Sequence, residues 1–394
     1  MHILFIEALL TGHHSIYLER SVLAFLSVGH KVTISLPDNI QNTSTLFDNL
    51  QAQPEINWVR HKHRFDLDGN GVRGLISREL NTHKVFKLIY KDVQRKLKID
   101  YVFLPYIDYC LYAIGLLGSP FASTKFGGIC MRPNFHHPVT DVVSQKGKLD
   151  AIKWKLFNRV LNNKNLGILF AIDTLLVSIS HRDLPHVSSR IRYLADPVDD
   201  VLDVNVQQVR AEFGATDNTK TILVYGALDE RKGLILLLDA LENERFSEDW
   251  HVWLIGRQSN NIREMLSGDR WAKLKQQQRV QVCDKFVTKE IEQKVLAACD
   301  VIWLAYRQHY GMSGVMVHAG RNKKATITCN VGLIGWYANK FKIGIPISPT
   351  CKSVIEALST LSNPANRQAM ASNGEECFKS NTWGNFAKIL VSTN

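Results

Sequence analysis

The chain has 394 residues, enough for two domains that each bury a core of their own. Hydrophobic residues make up 45% and charged residues 22%, and no run reaches the roughly 18 apolar residues of a membrane span, so a soluble globular protein is expected. Lys and Arg outnumber Asp and Glu by 48 to 37, a formal charge of +11; this favours anionic partners, but no basic-aromatic motif points to nucleic acid.

The first residues, "HILFI", read as an apolar strand at 2–6 without the basic region or cleavage site of a signal peptide, so a cytosolic setting is expected. "TGHHS" follows, then a helix with Leu18, Val22, Phe25 and Leu26 on one side, a turn at Gly29 and a second strand in "KVTISL". The polar stretch 39–57 reads as a loop with a helical piece. In 84–98, Lys84, Lys87, Lys91, Arg95 and Lys98 recur at helical spacing beside Phe86, Ile89, Val93 and Leu97. The plain reading is a packed helix with solvated lysines; the sharper one is a surface that leans on anionic lipid. Further strands are expected at 101–104, 126–130 and 174–179.

After Pro197 the alternation restarts with cleaner punctuation. Strands "TILVYG", "WHVWLIG", "VQVC", "DVIWLAY", "ATITC" and "GIPIS" alternate with helices such as "KGLILLLDAL" and "TKEIEQKVLAAC". The expected class is α/β: two doubly wound, Rossmann-like domains, 1–197 and 198–378, with 379–394 as a C-terminal helix crossing back to the first. Seven cysteines (110, 130, 283, 299, 329, 351, 377) show no C-x-x-C spacing, so they read as buried thiols and not as a zinc site or disulfide framework.

In open α/β sheets ligands bind beyond the carboxyl ends of the strands, which singles out the loops "TGHH", "GALDERKG", "IGRQ" and "RQHYGMSG". Gly311, Ser313 and Gly314 precede a helix, where small residues and free N–H groups suit a phosphate; the alternative is a plain loop capped by Ser313. Arg231 and Lys232 start another helix, where cations oppose the dipole unless an anion neutralises them; the alternative is two solvated charges at a turn.

The order of "GALDERKGLILLLDAL", "IGRQ", "VLAACDVIWLAYR" and "YGMSGVMVHAG…ATITCNVGLIGWY" resembles the donor-binding domain of GT-B glycosyltransferases, in particular the retaining family 4. "GHHSIYLERSVLAFLSVGHKVTISLP" is similar to that family's opening unit. The resemblance implies two domains facing across a cleft, an acceptor site in the first and a nucleoside diphosphate sugar in the second. It implies that Lys232 grips the donor diphosphate, that amides at Ser313 and Gly314 face it, that Gly12 lets the donor close on the first domain, and that Gly226, Gly332 and Leu333 border the site. It further implies transfer of a sugar to an acceptor hydroxyl with retention, in polysaccharide or glycolipid assembly.

Two positions depart from the family pattern. Its usual Gly-Arg pair is Gly226-Ala227 here, with Arg231 as the available substitute, and the glutamate expected to hold the donor ribose is His318. His13, His14 and Arg132 are candidates for the acceptor, and His136 and His137, in "RPNFHHPVT", for contact with the transferred sugar. No carboxylate cluster stands out in the sequence as a cation site, so metal-independent catalysis is expected, with Arg231, Lys232 and the Ser313 amides stabilising the leaving diphosphate and no cofactor beyond the donor itself. A nucleotide-sugar epimerase and an inactive nucleotide-sugar-binding or scaffolding protein remain as alternatives.

Overall fold

The computed structural model describes residues 1–38, 50, 52–242 and 250–392. The chain divides into two compact units: Met1–Thr140, Lys146–Ala195 and Trp383–Asn394 form the first, Asp141–Gln145 and Asp196–Thr382 the second. Most of the stretch 39–57 lies outside the described residues.

The first unit holds seven parallel strands: β1 (His2–Ile6), β2 (Lys31–Pro37), β3 (Ile56–His61), β4 (Tyr101–Leu104), β5 (Lys125–Cys130), β6 (Leu166–Ala171) and β7 (Ile191–Tyr193). Their order is β3-β2-β1-β4-β5-β6-β7, so the winding reverses between β1 and β4. Alternate residues of β1 go to opposite faces: Leu4 and Ile6 pack with Phe86 and Ile89 of the helix Gly71–Gln94, while Ile3 and Phe5 pack with Leu18, Val22 and Phe25 of the helix His13–Ser27. The last helix, Trp383–Val391, joins this second face, with Tyr17 edge-on to Trp383 and Phe386 at ring separations of 5.7 and 5.5 Å. Lys84, Lys87 and Lys91 are exposed on Gly71–Gln94, but this helix ends before Lys98, so the basic row is shorter than its spacing in sequence indicates.

Two sequence expectations need correction in this unit. The strand expected at 174–179 is a helix, Thr174–Asp183, because Asp173 accepts a hydrogen bond from the Leu175 N–H at 2.9 Å and so caps a helical turn despite the β-branched run. The second is an omission: β3, whose first residues lie in the stretch read as a loop, and the strands flanking this helix, β6 and β7, were not anticipated.

The second unit holds six parallel strands: β8 (Lys220–Tyr225), β9 (Trp250–Ile255), β10 (Val280–Cys283), β11 (Val301–Leu304), β12 (Ala325–Cys329) and β13 (Gly344–Ile347). The order β10-β9-β8-β11-β12-β13 reverses between β8 and β11. The helices Leu234–Glu242 and Cys351–Ser362 pack together, as do Gly314–Arg321 and Pro364–Phe378, covering the two faces. Continuous apolar strands such as "VIWL", buried at every position, are what a parallel sheet covered on both sides requires.

Candidate functional site

In the second unit the site forms where the winding reverses. β8 ends at Tyr225, and the chain crosses Gly226 at φ +95° to reach a single turn, Glu230–Lys232. Gly256, at the end of β9, lies so close that a Cβ there would collide with the Gly226 carbonyl, so the two strand ends can pass only as glycines. Lys232 is 5% exposed, and its Nζ donates to the Tyr225 carbonyl and to the Tyr306 hydroxyl, both at 2.8 Å. Burial, followed by the neighbouring Arg231, pulls its pKa down to about 8. Two of three ammonium donors are thus spent on neutral oxygens, and among the described residues no carboxylate is hydrogen-bonded to Nζ, Asp229 acting on it only through its charge. An anion is the partner that would complete it.

Arg231 stands beside it, 5.7 Å above the Tyr306 ring and 3.7 Å from Asp229. Both cations therefore gather at one aromatic ring, with Lys232 Nζ 4.3 Å from its centre. Ser313 is the N-cap residue of Gly314–Arg321 but spends no side-chain hydrogen bond on the cap, and Gly314 is exposed; the Met316 N–H donates to the Ser313 carbonyl at 2.9 Å, while the Gly314 and Val315 amides have no partner among the described residues. The later glycine turn holds Gly332 and Leu333. Gly332 N–H donates to the Val143 carbonyl and Leu333 N–H to the Tyr310 carbonyl, both at 2.9 Å, so these two amides are already committed. Gly332 itself is required at φ +69°, where a Cβ would lie 2.6 Å from Tyr310 Cα.

His318 faces a residue the sequence gave no reason to choose: Glu292, on the helix Lys289–Ala298, lies 3.5 Å from its Nε2 and also accepts the Tyr225 hydroxyl. A cavity of about 580 Å³ adjoins the Lys232 turn, sharing Tyr306 and Glu230 with it and otherwise lined largely by apolar groups including Leu234, Leu236, Ile262 and Ile347. Lys232, Ser313 and His318 do not line it.

The first unit's reversal, between β1 and β4, gathers a different set. His14 is 3% exposed, with Nδ1 3.3 Å from Glu7 Oε1 and its ring 4.2 Å from that of Tyr106. Burial, then Arg132, lowers its pKa to about 4, so it is neutral at physiological pH. His13 is exposed and stacks on His14 at 4.6 Å. The Arg132 guanidinium lies 5.3 and 5.9 Å above Tyr106 and Tyr109, while its backbone N–H and that of Met131 bind the Asp108 carboxylate. Gly12 begins the helix at φ +60° with open space where a Cβ would be. The structure thus brings His13, His14 and Arg132 together, and adds Glu7, Tyr106, Asp108 and Tyr109.

Comparison with known proteins decides the fold. The sequence matches no family model and no curated protein. Among solved structures, Anabaena HepE in complex with UDP superposes with a TM-score of 0.67 at 12% identity, covering 100% of this chain and 99% of HepE. Sucrose-phosphate synthase from Thermosynechococcus elongatus gives 0.68 at 14% identity, covering 99% and 96%. WaaG, a glycosyltransferase involved in lipopolysaccharide biosynthesis, gives 0.63 at 13%, covering 100% of both chains. The chain has the GT-B fold.

In the first unit of this GT-B fold, His136 and His137 stand apart from the cluster of His13, His14 and Arg132. They are 1% and 0% exposed, and each turns Nε2 toward Asp173 Oδ2, at 2.8 and 3.3 Å. Hydrogen bonds from the two rings hold the Asp173 carboxyl far below its usual range against the opposing effect of burial. Neither histidine, expected from the sequence to contact the transferred sugar, presents its ring to solvent; both fasten the loop after β5 to the helix cap after β6. The three side chains are close enough to hold a metal ion, yet both Nδ1 atoms are buried without a partner. A metal-ligating histidine ordinarily hands its second ring proton to a carbonyl or carboxylate, so the donor set fits a hydrogen-bonded lock better than an ion. The chain does contain one D-x-D spacing, Asp66 and Asp68, but both are exposed and joined only by a local turn contact of 3.4 Å.

Proposed function

We propose that this GT-B protein is a glycosyltransferase that moves a sugar from a nucleoside diphosphate sugar to an acceptor hydroxyl. The observation that carries the reading is Lys232: a buried ammonium at the β8/β11 reversal, held by neutral oxygens beside Arg231 and the open amides after Ser313. As the bond from the anomeric carbon to the diphosphate breaks, negative charge grows on the leaving oxygen, and these groups stabilise it without a metal. Retention of configuration and a role in polysaccharide or glycolipid assembly follow the family 4 resemblance and are part of the same proposal. Ala227 leaves Arg231 to supply the second cation.

In the first unit, His13, His14 and Arg132 form the proposed acceptor surface, where neutral His14, held by Glu7, can accept a hydroxyl hydrogen bond. Among the described residues no helix is long and apolar enough to cross a membrane. The exposed edge of Lys84, Lys87 and Lys91 suits peripheral contact with anionic lipid, which vesicle binding that weakens with salt would support.

Incubation with a panel of nucleotide sugars, beginning with UDP-glucose, tests the proposal. Nucleoside diphosphate release that depends on an added acceptor is the expected result. Isomerisation of the donor without acceptor would identify an epimerase, and thermal stabilisation by nucleotide without turnover would identify a binding protein.

A further inference from the structure

The Lys232 ammonium and the Glu292 carboxylate are fastened to opposite ends of one residue. Tyr225, the last residue of β8, gives its carbonyl to Lys232 Nζ at 2.8 Å and its hydroxyl to Glu292 Oε1. Glu292 comes from the first turn of Lys289–Ala298, an element that carries none of the glycine-rich loops. Its second oxygen, Oε2, has no partner among the described residues, and the side chain is 16% exposed, so an acceptor atom is left facing outward beside His318. His318 is itself 20% exposed and sits on the helix whose N-terminal amides face the anion site.

A carboxylate at this place repels a diphosphate. It contributes to ligand binding only if the ligand bears hydroxyl donors about a tyrosine's length from its phosphates. In a nucleotide that group is the ribose diol, and an acidic side chain accepting from ribose hydroxyls is a general solution in nucleotide-binding sheets. We infer that Glu292, held in position by Tyr225 and flanked by His318, reads the ribose hydroxyls of the donor nucleotide. The inference rests on the donor reading above and assigns the diol to a helix different from the one that follows the small-residue turn. Tyr225 is then a positioning residue, coupling the diol carboxylate to the diphosphate lysine.

Calorimetric titration of the full chain with UDP, 2′-deoxy-UDP and 3′-deoxy-UDP tests it, since none of the three carries the transferred sugar. A hydrogen bond to a charged acceptor predicts that the wild type prefers UDP over at least one deoxy analogue by about tenfold to a hundredfold. Glu292→Ala and the more conservative Glu292→Gln should weaken UDP but leave the deoxy analogue nearly unchanged, so that the preference collapses. Tyr225→Phe keeps the carbonyl that holds Lys232 and should lose part of the same preference. Thermal melts confirm folding of each variant. If Glu292→Ala and Glu292→Gln keep the wild-type preference, or weaken UDP and its deoxy analogues equally, the inference is overturned while the donor reading stands. If the wild type binds none of the three, the donor reading falls and takes this inference with it.

Discussion

The two sheets reverse their winding in the same way, yet the loops at the two reversals carry opposite chemistry. At β1/β4 Glu7 is buried beside His14 and Asp108 is half-buried beside Tyr106, with Glu79 buried on the neighbouring helix Gly71–Gln94, and desolvation pushes all three pKa values upward. At β8/β11 the buried charge is an ammonium, and burial pushes its pKa down. Strand order decides where a mouth opens; a few side chains at the strand ends decide which ligand it favours. One mouth gathers carboxyl groups and imidazole beside phenol rings, the other gathers two cations at the Tyr306 ring.

The largest expected effect breaks the cationic side of this comparison. Lys232→Ala should cost about 2–5 kcal/mol of transition-state stabilisation, roughly a thirty- to several-thousand-fold loss in kcat/KM, by analogy with truncated buried charge contacts. Much of it should fall in kcat, because charge on the leaving group grows during the reaction. Wild-type kinetics in a folded variant would remove Lys232 from the site.

The acidic side is tested by stability. Glu79 accepts the Ala113 N–H with Oε2 while Oε1 is buried without a partner, and its pKa rises to about 8, chiefly through burial. The folded chain therefore binds a proton that the unfolded chain has released, so stability at Glu79 is lost as pH rises from about 4.5 to 8. Glu79→Gln removes that dependence. Its stability relative to wild type should be small at pH 5 and grow to at most about 4 kcal/mol near pH 8–9, read from denaturant midpoints. A difference that does not grow with pH would mean that the Glu79 carboxyl is ionised in the folded state.

Asp173 should sharpen the distinction between a mouth and a lock. Asp173→Ala leaves His136, His137 and the Leu175 N–H without their acceptor, and should cost about 2–3 kcal/mol. Its carboxyl is held below its usual value, so the contribution is fully present above the unfolded pKa and fades as pH falls through the folded one. Donor affinity should not change, which calorimetry with UDP would check. The smallest effect is expected at Arg231, which is exposed: Arg231→Ala should lower kcat/KM by about five- to tenfold, and Ala227→Arg in that background should recover part of it.

What the sequence disclosed follows from how local each signal is. β8, β9 and β11 were readable because strands buried on both faces become unbroken apolar runs, and the glycine spacing around Lys232 and Ser313 marked loops that must approach a ligand. The helix Thr174–Asp183 was hidden because its β-branched residues imitate a strand, while the deciding group is the single cap at Asp173. Glu7, Asp108 and Glu292 were hidden for another reason. Each is a solitary carboxylate without a motif; Asp108 and Glu292 gain their importance from neighbours far along the chain, Glu292 and Tyr225 being 67 residues apart, and Glu7 from His14 across the intervening turn. His136 and His137 show the converse, a conspicuous pair whose environment is a buried carboxylate.

The position of Trp383–Val391 bears on how the molecule is made. This helix covers Tyr17 and completes a hydrophobic face that begins with β1, so the first unit cannot finish folding until the ribosome has passed residue 391. The second unit, by contrast, has all its strands by residue 347 and its last packed helix by residue 378. During synthesis the part made later can therefore reach its native state first, while the part made earlier waits with the Tyr17 edge of its opening helix uncovered.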